Sequence, residues 1–375
     1  MKPDKHARVT DVPDLVAGLR HEVESRLRRQ AASYYPERVE HGAPEIVCTR
    51  TIDRGFSLRF EFTLNWADSP ATKVIAKIRR DSVNDAFDQL QQTATAAALG
   101  RAEFEGLARA YRYFSANHAG LGVVRPLDYD EERNVLIVEH ASGRDLGVLV
   151  AARDPGCVKA FARCGRWLRL FHHDLHSSRL RTWSPSEVHE LMNKRGRPLI
   201  DRGVPLRVLD PLLASLEKLA ATMQSQPVRW STLHGDYKLK HVWATPDGVQ
   251  ALDFGNTHEG DCCRDVAAFL VEILLLRLGN PLADVRRVTS YADAFLEEYF
   301  QGPIDPVLPV YVIECLLKKW HRRLGAWSGG KSNPMYVRFQ RSLSLMGTGG
   351  LLNRTIVDRW FVARLQEWVE RASVA

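Results

Sequence analysis

The chain has 375 residues, of which 45% are hydrophobic, enough for more than one domain and a sizeable buried core. Its formal charge of +7 comes without any recognisable nucleic-acid-binding motif, so nucleic acid is not an expected partner. The six cysteines lack both C-x-x-C spacing and the density of a secreted scaffold, residues 1–12 carry no apolar signal core, and the apolar run 266–276 is broken by Glu272 and too short to span a bilayer; together these predict a soluble, cytoplasmic protein.

In chain order, Leu15, Leu19, Val23 and Leu27 recur every fourth residue and predict a helix over 12–28, an N-terminal extension (1–30) packed on the strand-rich region after it. Residues 45–51 and 57–64 read as strands. In the second, Leu58, Phe60, Phe62 and Leu64 alternate with Arg59, Glu61 and Thr63, the period of a half-buried strand. Between them, Asp53-Arg54-Gly55-Phe56-Ser57 reads either as an ordinary hairpin turn or as a loop that folds its backbone N–H groups over phosphate, with Gly55 and Ser57 as contacts. Residues 73–78 form the next predicted strand. Its Lys77 lies in an apolar run and needs an anionic partner. A helix over 101–117, with Phe104, Leu107, Ala108, Tyr111 and Phe114 on one face, offers Glu103 or Glu105, and Glu103 is favoured. Residues 135–139 predict a strand followed by the small-residue turn Glu139-His140-Ala141-Ser142-Gly143.

A helix over 158–175 ends near His172 and His176. Their spacing of four suits a metal, but the helix dipole at a C-terminus accounts for histidines more simply. Pro185, Pro198, Pro205, Pro211 and Pro227 punctuate the segment that separates this helix from residue 230. Two short apolar runs, 242–244 and 249–252, then flank Pro246-Asp247-Gly248 and predict a hairpin. Counting outward from that turn brings Asp253 opposite Lys240 or His241, so that one Mg²⁺ could touch both arms. Asp236, on the loop entering the first arm, would accept a proton from a hydroxyl. These are spacings suited to phosphoryl transfer. Gly325 to Ser332 satisfies G-x-x-x-x-G-K-S letter for letter, yet the preceding Lys318, Lys319, Arg322 and Arg323 are too charged for a buried strand and Asn333-Pro334 comes after, so a surface loop is expected. Residues 301–375 carry 3 Lys and 8 Arg against 5 acids, a net +6 that holds nearly all of the chain's charge.

His234-Gly235-Asp236, then Asp253-Phe254-Gly255, then Gly260-Asp261 and Asp265 resemble the aminoglycoside phosphotransferase and choline kinase family, small-molecule relatives of protein kinases. The resemblance implies an α+β, two-lobed protein-kinase-like fold, with a small antiparallel-sheet lobe at 31–138 and a larger helical lobe at 139–375 that builds the acceptor pocket. It implies ATP and Mg²⁺ as cofactors. Asp236 becomes the catalytic base, Asp253 the Mg²⁺ ligand on the nucleotide phosphates, and Asp265 a brace for the catalytic loop. Lys77 resembles the lysine that pairs with the α- and β-phosphates, and Lys238 the catalytic-loop lysine that neutralises the γ-phosphate. Glu139, His140 and Ala141 would present backbone groups to adenine. One position departs: His241 stands where the family usually has Asn as the second metal ligand, and imidazole suits softer ions than Mg²⁺.

Expected, therefore, is transfer of phosphate from ATP to a hydroxyl of a small molecule. A basic C-terminal region disfavours a polycationic aminoglycoside and favours a sugar, glycan or lipid-linked saccharide; it also allows weak association with an anionic membrane surface, or serves only as a solvated face. The competing readings are a pseudokinase-like binding or regulatory module, suggested by His241 alone, and an antibiotic- or choline-type kinase.

Overall fold

The computed structural model describes residues 12–53, 57–79, 94–184, 196–223, 225–279, 284–327 and 349–374. The protein is α+β and divides into two compact units, Met1–Gly143 with Thr245–Asn256, and Arg144–Ala244 with Thr257–Ala375. The first is built on a sheet and the second is largely helical.

In the first unit, helix α1 (Val12–Tyr34) precedes strands β1 (Glu45–Asp53), β2 (Ser57–Trp66) and β3 (Ser69–Arg79). Helix α2 (Ala94–Asn117) and strands β4 (Leu121–Val123), β5 (Pro126–Asp130) and β6 (Val135–Glu139) come next. The main sheet runs β1-β2-β3-β6-β5 with every pair antiparallel. Alternation along β2 buries Leu58, Phe60, Phe62 and Leu64 on one side, and β3 adds Val74, Ala76 and Ile78. Leu19, Val23, Leu27 and Ala31 of α1, spaced by one helical turn each, pack on that side. Burying a leucine or valine is worth roughly 1.5–3 kcal/mol, so α1 is a layer of this core. The helix extends six residues past the expected 28; the side chain of Leu15 lies outside the described residues. β4 pairs in parallel with the strand Val249–Ala251, which the second segment of the unit supplies. Ahead of that strand, reciprocal bonds from Thr245 N–H to Gly248 O (3.0 Å) and back (3.4 Å) close the turn at Pro246-Asp247.

The second unit contains helices α3 (Cys157–Leu170), α4 (Leu206–Thr222), α5 (Cys263–Gly279), α6 (Val285–Phe300), α7 (Leu308–Trp327) and α8 (Gly349–Val374). Strands β7 (Arg179–Thr182), β8 (Pro227–Leu233) and β9 (His258–Asp261) make an antiparallel sheet with β8 central. α3 packs on α6, α5 on α6 and α7, and α7 on α8, where Trp320 and Phe361 stack with centroids 5.6 Å apart. Trp320 and Trp368 are thereby buried.

Three expectations change. The proline-punctuated segment contains α4, with Pro211 inside it, because Leu209, Leu212, Leu216 and Leu219 form a buried stripe whose packing outweighs the proline. α3 ends at Leu170 and the last turn of the expected helix, Phe171–Leu175, is a π turn, in which His172 is completely buried. In the phosphate-loop string, Gly325-Ala326-Trp327 finish helix α7 where such a loop would come after a strand, and 328–332 lie outside the described residues. Among the described residues, no helix is long and apolar enough to cross a membrane.

Candidate functional site

Two polar clusters collect most of the candidate residues, one in each unit. In the first, β3 alternates so that Ile75, Lys77 and Arg79 share the less buried face. α2 approaches with its own buried stripe, Glu103, Leu107, Ala110 and Phe114, so the spacing that buries leucine and phenylalanine also buries Glu103, while Glu105 is exposed. Lys77 Nζ stands 2.8 and 3.1 Å from the two Glu103 oxygens and 2.8 Å from Asp253 Oδ1. Burial opposes the Lys77 charge, but Glu103 and Asp253 outweigh it and hold the ammonium pKa above the ordinary lysine value. Asp253 has φ +70°, a left-handed conformation rare for aspartate that orients its carboxylate, and about a third of that side chain is exposed.

Arg79 escaped the sequence reading. Its Nη1 donates to Gly255 O at 2.6 Å and lies 3.5 Å from Glu103 Oε2. Ser57 heads β2 directly opposite Arg79. Gly55 lies outside the described residues.

The turn after β6 uses its first two donors internally: Glu139 N–H bonds Arg125 O and His140 N–H bonds Lys73 O, both at 2.9 Å. The Ala141 carbonyl accepts from His140 Nδ1 at 2.8 Å, which fixes that ring as an Nδ1–H tautomer or as imidazolium. The Glu139 and His140 N–H groups are therefore already engaged within the unit. Arg125 also pairs with the Glu139 carboxylate at 3.3 Å and donates to Tyr34 O at 2.6 Å, tying this turn to the end of α1.

In the second unit the loop after β8 alternates. Asp236 and Lys238 are half-buried, while Tyr237 and Leu239 between and after them are buried. Tyr237 stacks on Trp167 (centroids 5.3 Å, planes 8° apart), contacts Phe269 and donates to Cys164 O at 3.2 Å. Lys238 is extended (φ −155°, ψ 163°), and an extended chain turns successive side chains to opposite sides, so anchoring Tyr237 puts Asp236 and Lys238 on the same side. Lys238 Nζ reaches both Asp236 oxygens, at 2.6 Å from Oδ1 and closer still to Oδ2.

Beneath the loop, Asp265 in the first turn of α5 accepts His234 N–H at 2.6 Å and Gly235 N–H at 3.0 Å. Gly235 adopts φ +74°, which a glycine takes without strain. His172 Nε2 lies 3.2 Å from the same carboxylate and Nδ1 lies 2.9 Å from Tyr299 OH, while Ser231 Oγ donates to the carbonyls of His172 and His176. Burial pushes the Asp265 carboxyl up, but the His172 bond and charge and the loop amides prevail and hold it below the usual range. An ionised carboxylate is thus fixed under the two residues preceding Asp236. His241 Nδ1 contacts Asp236 O at 3.0 Å; a carbonyl only accepts, so Nδ1 carries a hydrogen and Nε2 is the atom that a neutral ring would offer a metal.

No family model and no curated protein matches the sequence. Among solved structures, the chain is similar to an amicoumacin kinase in complex with AMP-PNP and Ca²⁺, at 15% identity and TM-score 0.48 over 93% of each chain. It is similar to a choline/ethanolamine kinase family protein from Mesorhizobium loti, at 15% identity and TM-score 0.46 over 91% of this chain and 94% of that one. An aminoglycoside phosphotransferase gives 15% identity and TM-score 0.47 over 91% of this chain and 99% of that one.

Proposed function

We propose that the protein is an ATP- and metal-dependent phosphotransferase that phosphorylates a hydroxyl of a small molecule. The observation that carries this reading is Lys77, an ammonium held at 2.8 Å from both Glu103 and Asp253. A lysine so confined has a fixed position, and exchanging its Asp253 contact for nucleotide phosphate would let it hold the α- and β-phosphates while Glu103 keeps it in place. Ala141 N–H would receive the adenine edge.

The reaction makes a bond between the acceptor oxygen and the γ-phosphorus and breaks the bond from that phosphorus to the β,γ-bridging oxygen, releasing ADP. Asp236 takes the hydroxyl proton on a carboxylate oxygen. Lys238, the partner of Asp236, would turn to the transferred phosphoryl group and offset its charge. Asp253 supplies carboxylate oxygen, the donor Mg²⁺ prefers, and His241 supplies an imidazole lone pair that suits Mn²⁺ better. A divalent ion held by either residue would offset phosphate charge.

For the acceptor we favour a neutral or anionic sugar, glycan or lipid-linked saccharide over a polycationic aminoglycoside. The support is the net +6 of residues 301–375. One of those charges is met from outside the region, since Lys319 pairs with Glu272.

The test is a panel of sugars, glycans, amino alcohols and antibiotics incubated with γ-labelled ATP and Mg²⁺ or Mn²⁺. A labelled phosphoester formed in step with ADP, and lost in Asp236→Asn, is expected. Nucleotide binding without transfer to any acceptor, unchanged by Asp236→Asn, would overturn the reading in favour of a binding module.

A further inference from the structure

We propose that Arg79 is a positioning residue that clamps the Asp253-Phe254-Gly255 turn by its last carbonyl and so holds Asp253 where Lys77 pairs with it. The consequence for nucleotide rests on the phosphotransferase reading; the clamp itself does not.

The geometry is a match between two i, i+2 pairs. Lys77 and Arg79 lie on one face of β3, about 7 Å apart along the strand. Asp253 and Gly255 have the same sequence spacing, and each strand cation grips one of them: Lys77 Nζ the Asp253 carboxylate at 2.8 Å, Arg79 Nη1 the Gly255 carbonyl at 2.6 Å. Phe254 between them is buried. Glu103, with a 4% exposed side chain, braces both cations from α2, with Oε1 2.8 Å from Lys77 and Oε2 3.5 Å from Arg79. Two cations and two anions thus alternate as Arg79, Glu103, Lys77 and Asp253 with no net charge, which makes their burial tolerable.

Two further features point the same way. Asp253 has φ +70°, outside the regions most residues prefer, and a tether two residues on helps to hold the turn in that conformation. A Cβ on Gly255 would fall 2.3 Å from Arg79 Nη1 and 2.8 Å from Glu103 Oε2, so glycine is what lets the guanidinium reach the carbonyl. A planar guanidinium can address the carbonyl and the carboxylate together, whereas a lysine ammonium of shorter reach serves one of them well.

The test is a double-mutant cycle with Arg79→Ala and Gly255→Ala, read by urea denaturation and by Mn²⁺ affinity in the presence of ATP. Removing Arg79 removes the atom nearest the new methyl group, so Gly255→Ala should lower the folding equilibrium constant about 5-fold less in Arg79→Ala than in the parent. Arg79→Ala should weaken Mn²⁺–ATP binding about 10- to 100-fold, and Arg79→Lys should recover part of that loss. Where Arg79→Ala does not fold, Arg79→Gln carries the same cycle. Additive stability effects would overturn the clamp, and unchanged Mn²⁺ affinity in a folded Arg79 variant would overturn its action on Asp253. If the parent protein binds no Mn²⁺–ATP at all, the phosphotransferase reading fails while the stability cycle still decides the clamp.

Discussion

Glu103 gives both carboxylate oxygens to the Lys77 ammonium, at 2.8 and 3.1 Å, from a helix position almost closed to solvent. Neither residue stands alone: Lys77 also holds Asp253, and Glu103 also meets Arg79. Lys77→Ala should therefore weaken nucleotide binding or cut kcat more than Glu103→Gln, because the lysine would meet phosphate directly while the glutamate acts through the cations that it braces. Residues of one network share their energy, so the double variant should lose less than the sum by about 0.5–3 kcal/mol. Nucleotide titration and denaturation of all four proteins measure this, and Glu105→Gln is the control. Coupling of Lys77 to Glu105 in place of Glu103 would contradict the pairing.

Asp236 is exposed enough to meet a hydroxyl, and its neighbours are anchored independently of it, Tyr237 by stacking on Trp167 and the preceding amides by Asp265. Asp236→Asn should keep the loop in place and lower kcat by about 10²- to 10⁴-fold while nucleotide binding survives. Single-turnover rates with a confirmed acceptor check it, and an unchanged kcat would remove Asp236 from proton transfer.

Asp261 offers a pH test of stability. Burial pushes its carboxyl up to about 6, against the Cys263 N–H and Tyr311 hydroxyl that bond it; nearby Asp305 pushes the same way as burial and Arg264 the opposite way. In the unfolded chain an aspartate titrates near 3.9, so between about pH 4 and 6 the folded state keeps a proton that the unfolded state has released. This contribution to stability is complete below about pH 4, is lost as the pH rises to about 6, and amounts to roughly 3 kcal/mol. Asp261→Asn removes the titration and leaves an acceptor for the helix-start amide. Urea midpoints should diverge in the variant's favour from pH 4 to pH 7. Parallel curves would show that Asp261 ionises normally.

What could be read from the sequence was whatever is written in local periodicity. β2 carries its alternation openly, and the helix that bears Glu103 was legible from its apolar face, of which Leu107 and Phe114 are buried. Arg79 could not be read in this way, since its partner is a backbone carbonyl 176 residues away and a carbonyl has no residue signature. The end of the helical segment at His172 was legible, but its burial was not, since Tyr299, 127 residues on, supplies a partner that local periodicity does not reveal. α4 was hidden by its prolines, although its leucine stripe was in plain view. The turn after β6 was visible as a turn, but the use of two of its N–H groups by Arg125 and Lys73 depends on strand pairing that only the fold supplies.

His241 is the residue that a metal experiment should resolve. Its backbone N–H bonds Lys238 O at 2.8 Å and its Nδ1–H bonds Asp236 O at 3.0 Å, so the ring is fixed by the same loop that carries the proposed base, and Nε2 is the nitrogen left for a metal. An imidazole nitrogen favours Mn²⁺ over Mg²⁺ relative to a carboxamide oxygen. His241→Asn should therefore remain active and shift its preference several-fold toward Mg²⁺, whereas His241→Ala should require more of either ion and also loosen the loop, because the bond to Asp236 O is lost with the ring. Activity titrated with each ion at saturating ATP separates the two effects, since a ligand change alters the ratio between the ions and a loosened loop lowers both activities alike. Identical Mg²⁺ and Mn²⁺ dependence in the parent and His241→Asn would make His241 a structural residue of the loop and leave Asp253 to carry the metal.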